Sequence, residues 1–126
     1  MSKLAQRIAA GVAVMFGIAT LAAGGRVLMG YSDPGYAVYR PLLIYNTAMG
    51  LAYVAAGVAI WVSRQRGKYA ALAIFIFNLA VLLGVVFLYA NGGAVAIDSV
   101  RAMAFRTFVW LALFVVLAWK VRRWAP

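Results

Sequence analysis

Tyr69–Ala90 reads YAALAIFIFNLAVLLGVVFLYA, a run without charge or proline and with a single side-chain amide, Asn78. As a helix rising 1.5 Å per residue it spans about 33 Å, against a bilayer hydrocarbon core of about 30 Å. It is apolar on every side, so it has no water-facing stripe. It also lacks the period-two alternation of a barrel strand. In hydrocarbon each backbone N–H and C=O must be paired within the segment, and a helix does that. The stretch therefore predicts a transmembrane helix.

Three further apolar stretches lie around it. The first is Leu4–Leu28, interrupted by Arg7 and Arg26, with an uncharged centre at Ile8–Gly25. The second is Pro41–Ser63 and the last is Ala102–Trp119, with one internal charge at Arg106 and a helix start expected near Ser99. Each holds about 18 to 23 residues between breaks, roughly 27 to 35 Å of helix. The expected architecture is all-α: one domain over residues 1–126, with four transmembrane helices (about 4–28, 41–63, 69–90 and 99–119) in an up-down antiparallel bundle. The first segment also has signal-peptide features: Lys3 and Arg7, an apolar centre, and small residues at Ala22 and Ala23. Its apolar run is longer than a usual signal core, so a retained helix is expected.

Composition agrees. The chain is 67% hydrophobic and 11% charged, whereas a soluble domain is about half apolar and about a quarter charged. The net charge is +10. The cations sit between apolar runs rather than on one continuous face, which points to lipid headgroups and topology, not to nucleic acid. Lys3, Arg7, Arg64, Arg66, Lys68, Lys120, Arg122 and Arg123 fall on one side of the expected bundle. Arg26, Arg40, Arg101 and Arg106 fall on the other. The excess on the first side predicts that both termini lie inside, N-in and C-in. A compact four-span chain favours a multi-pass protein of the bacterial plasma (inner) membrane.

The connection near Arg26–Arg40 holds the turn signal Ser32-Asp33-Pro34-Gly35 among Tyr31, Tyr36 and Tyr39, which suits a turn at the outer interface. Gly92 is placed to end the third helix, and Asp98 or Ser99 to cap the fourth. The Ser63–Lys68 stretch reads as a short inner connection, which makes the second and third helices neighbours. Trp61, Trp119 and Trp124 mark the inner interface.

Small residues recur at helical spacing. They include Ala10, Ala13, Gly17, Thr20 and Gly24 in the first helix, and Gly50 and Gly57 with Asn46 and Tyr53 in the second. The third offers Ala73, Phe77, Ala80 and Gly84. Such stripes let backbones approach closely in lipid, so Gly17, Gly24, Gly50 and Gly57 are expected in helix packing. Asn78, near the bilayer midplane, is expected to hydrogen-bond across a helix interface.

With no cysteine and no histidine, disulfides, thiolate chemistry and the commonest metal, haem and general-base groups are missing. The two acids, Asp33 and Asp98, lie outside the apolar runs. Neither an enzyme nor a cofactor is expected. Small multidrug-resistance transporters are similar in plan only, because their first-helix glutamate has no counterpart here. Fluoride channels share the short four-helix plan, without a residue-by-residue match of polar and glycine positions.

Two functional readings remain. The first is an accessory, assembly or oligomer-forming subunit that packs on a membrane-protein partner or on its own copies. The second is a channel or carrier that binds an anion or a lipid headgroup in an outer pocket built from Arg106, Arg101, Asn46, Arg26 and Arg40. Tyr45, Thr47 and Thr107 lie at similar depth. The plainer account of these arginines is interface anchoring. Arg106, about four residues below Ala102 and so roughly 6 Å deep, would then snorkel, with Trp110 as a cation–π partner.

Overall fold

A computed structural model describes residues 3–30, 40–93 and 95–124, the last six as helical backbone alone. It holds four helices: α1 (Lys3–Leu28), α2 (Arg40–Val62), α3 (Arg64–Ala90) and α4 (Ile97–Trp124). All four are long and apolar enough to cross a membrane. The Ser32–Gly35 turn and its three tyrosines lie outside the described residues, as do the side chains of Trp119, Lys120, Arg122, Arg123 and Trp124.

Two helix starts differ from the sequence reading. Helix α3 begins at Arg64, so Ser63 is the whole connection to α2. Ser63 is extended (φ −154°, ψ 124°), and its hydroxyl accepts from the Arg66 N–H at 3.3 Å. Its own N–H donates to the Ala59 carbonyl, and its carbonyl accepts from the Gly67 N–H, both at 2.9 Å. One residue thus closes one helix and opens the next, with a serine cap satisfying an orphan donor. The basic residues Arg64, Arg66 and Lys68 lie on the first turns of α3, not in a loop. Helix α4 begins at Ile97, which places Asp98 in its first turn, and the Ser99 N–H already donates to the Ala96 carbonyl. Neither Asp98 nor Ser99 occupies the cap position. At the other end of α3, Gly92 sits at φ +76°, a left-handed position that suits glycine after a helix.

The α1–α2 seam is backbone against backbone. A Cβ on Gly17 would lie 2.8 Å from both the Gly50 carbonyl oxygen and the Val54 nitrogen. A Cβ on Gly57 would lie 2.9 Å from the Val14 nitrogen and 3.0 Å from the Ala10 carbonyl oxygen. Gly24 faces Thr47, and Gly50 faces Leu21. Rising numbers in α1 meet falling numbers in α2. Gln6 adds a tie at one end, donating to the Ile60 carbonyl at 2.7 Å and the Trp61 carbonyl at 3.2 Å.

The α2–α3 seam is closest at Gly67, where a Cβ would lie 2.6 Å from Ile60 Cα. Helix α3 buries Gly67, Ala71, Ile74, Asn78 and Val85. The stripe expected to pack, Ala73, Phe77, Ala80 and Gly84, is exposed instead, and a Cβ on Gly84 would meet nothing within 4 Å. The amide decides the rotation. Asn78 is costly against lipid and must turn inward, and Ala73, five residues away, is then carried about 140° round the helix. Between α3 and α4, Val85 and Met103 cluster with Leu42 and Val95.

Helices α1 and α4 meet differently. Their backbones stay apart, and Phe16 bridges them through its ring, 6.2 Å from Phe105 and 6.5 Å from Trp110. Two grooves lie along this seam.

Candidate anion site

The interior of the bundle is organised by one amide. Asn78, fully buried on α3, donates to the Tyr53 hydroxyl at 3.1 Å and accepts from the Tyr45 hydroxyl at 2.9 Å. Both tyrosines are on α2. In a medium without water, an amide held from both ends fixes the register of two helices. Tyr53 is also fully buried, stacking on Trp110 of α4 at 4.9 Å and meeting Phe16 of α1 at 5.4 Å. All four helices therefore converge on the Tyr53 level.

Arg106 lies one turn from Trp110. Helix α4 turns Ser99, Met103, Thr107 and Trp110 into the interior. Arg106, beside that stripe, points into the cleft between α1 and α4. There it lines a groove of about 250 Å³ with Phe16, Thr20, Ala23, Ala102 and Phe105. The side chain is half-buried, and its Nε is fully buried with no hydrogen-bond partner. The neighbouring hydroxyls donate to backbone carbonyls of their own helices. Thr20 donates to the Phe16 carbonyl and Thr107 to the Met103 carbonyl, each at 2.8 Å.

Two features of Arg106 differ from the sequence reading. Because α4 starts at Ile97, before the apolar run begins at Ala102, Arg106 is nine residues into the helix, about 13 Å from its start. Trp110 stacks on Tyr53, and no cation–π contact joins it to Arg106 among the described residues. Where such contacts do occur, they lie at the opposite end of the bundle. Arg7 Cζ lies 5.1 Å from the Trp61 ring centroid, and Lys68 Nζ lies 4.6 Å from that of Tyr69.

The other residues expected to form the pocket are not gathered around Arg106. Arg101, Arg26 and Arg40 are exposed. Arg101 is five residues before Arg106, about 140° round α4, and does not line the groove. Asn46 is half-buried on α2 with its Oδ1 buried and unpartnered, but it too is absent from the groove lining. Asp98 is exposed, and no carboxylate among the described residues pairs with Arg106. Phe16, Thr20 and Phe105 were not among the expected site residues. Thr20 was visible as the polar member of the α1 stripe, whereas nothing local in the sequence singles out the two phenylalanines.

No protein-family model, curated protein or solved structure matches this chain. The four helices give it the plan of a small multi-pass membrane protein.

Proposed function

We propose that this chain is a membrane protein that binds one anionic, phosphate-like group at Arg106, in the cleft between α1 and α4. One observation carries the reading: a half-buried guanidinium whose Nε is buried without a partner and which no described carboxylate neutralises. Burying a charge is costly unless it is paired, and an unpartnered donor inside a cleft calls for an acceptor. Guanidinium offers a planar fork that matches phosphate or carboxylate oxygens. Besides this one cation the groove is lined by apolar side chains and the Thr20 hydroxyl, which supports binding rather than catalysis. In the N-in, C-in up-down arrangement, Arg106 lies in the outer half of a bacterial plasma membrane. Arg26, Arg40 and Arg101 would stand there at the headgroup level, where they attract anions without holding them.

Replacing Arg106 with Gln and, separately, Arg101 with Gln tests this. Binding of anionic lipid or phosphate, followed by native mass spectrometry, should fall about tenfold or more for Arg106→Gln and little for Arg101→Gln. Equal binding by both variants and the parent would remove the reading.

A second reading is an accessory or oligomer-forming subunit, favoured by the exposed α3 stripe of Ala73, Phe77, Ala80 and Gly84. Beside it, exposed Ala55 on α2 helps line a shallow α2–α3 groove. Small residues on a lipid-facing surface admit a partner helix at close range. Crosslinking in native membranes tests it, and a protein that stays monomeric with no crosslinked neighbour would exclude it.

A further inference from the structure

The groove at Arg106 has a neighbour on the same seam. Phe105 also lines a second groove on the same α1–α4 seam, of about 470 Å³. That groove runs towards the α2–α3 connection between Ile8 and Val12 of α1 and Phe108, Ala112 and Val116 of α4. Its lining side chains are all apolar. The seam thus carries a cation at one end and a hydrocarbon trough over the rest of its length. Its volume lies within the range of small-molecule sites, about 300 to 1,000 Å³.

We infer that the ligand is an amphiphile, an anionic phospholipid whose phosphate sits at Arg106 and whose acyl chain lies in the apolar α1–α4 groove. This rests on the anion reading above and goes beyond it. A free phosphate would satisfy the guanidinium and leave the trough to bulk lipid. An uncharged lipid would fill the trough and leave Nε unpartnered. A phospholipid with a long chain satisfies both ends at once, and Phe105 stands in the lining of both grooves. The open seam supplies a lateral route, because nothing from α2 or α3 lines either groove. A lipid reaches the site from the bilayer without passing through water.

The test is a competition measured by native mass spectrometry on the full chain in a non-ionic detergent. Three probes are used: palmitoyl-oleoyl phosphatidylglycerol, dihexanoyl phosphatidylglycerol and inorganic phosphate. The long-chain lipid should bind at least about tenfold more tightly than either of the others. Ala112→Phe, which fills the trough and leaves Arg106 in place, should erase that preference. Val12→Phe blocks the same space from α1 and replaces it if Ala112→Phe lowers the helical content. Arg106→Gln should weaken binding of both lipids, and Arg106→Lys should restore part of it. If all three probes bind equally and Arg106→Gln abolishes them all, the acyl-chain inference fails and the anion site stands. A chain-length preference that survives both trough-filling variants also overturns the inference. If Arg106→Gln leaves every probe unaffected, both readings fail.

Discussion

Helix α1 has two seams made by different physics. Towards α2 it presents Gly17 and Gly24, and the two backbones approach until a single methyl group would collide with a carbonyl oxygen. Towards α4 it presents Phe16 and Thr20, and the helices are held apart by rings around a cleft that contains a cation. In lipid there is no hydrophobic gain from bringing helices together, so association depends on dispersion contact and interhelical hydrogen bonds. The first seam maximises contact and leaves no room for a ligand. The second gives up contact and leaves room for one. A helix that did both jobs on one face would do neither.

Filling the tight seam should have the largest effect. Gly17→Leu is expected to destabilise the bundle by about 3 kcal/mol, read as a shift in the denaturant midpoint in mixed micelles. A loss below about 1 kcal/mol would mean that the α1 and α2 backbones are not pressed together at that point. Next comes the amide that ties α3 to α2. Asn78→Leu should cost about 1 to 2 kcal/mol, and in a double-mutant cycle with Tyr53→Phe the two losses should be less than additive. Full additivity would sever the Asn78–Tyr53 bond from the stability of the fold.

The open seam should answer differently. Arg106→Gln is expected to change stability by no more than about 0.5 kcal/mol, or to raise it, while binding is lost. A large loss of stability would make Arg106 a structural group and blunt the contrast. The smallest effect should come from the exposed face of α3. Gly84→Leu meets no neighbour within 4 Å, so any change should stay within about 0.5 kcal/mol in the monomer. A clear destabilisation, or loss of an oligomer on size-exclusion chromatography, would show that this face is covered by another chain.

The four spans were legible because bilayer thickness imposes a length and continuous apolarity leaves no alternative. The rotation of each helix about its axis was legible only in part. In α1 the small residues and the buried residues coincide. In α3 two small-residue patterns compete, and the choice between them rests on Asn78 meeting two tyrosines on another helix, which is a three-dimensional fact. Ser63 misled because basic residues after it resemble a loop, although charge at the headgroup level does not interrupt a helix. Arg106 stood out as the one charge inside the last span. Its separation from Arg101, Asn46 and the rim arginines depends on angle round the axis and on where α4 starts, and depth alone does not convey that.

The single-residue link at Ser63 has a consequence for how α2 and α3 sit together. With no slack between α2 and α3, the position of one helix along its axis sets that of the other. The folded pair is one hairpin, its turn hydrogen-bonded at Ser63 and closed by Gly67 against Ile60. A reporter tag spliced at Ser63 would break that turn and let the two helices settle independently. The same tag between Asn91 and Ile97, where the chain leaves one helix before starting the next, would leave the Ser63 hairpin intact.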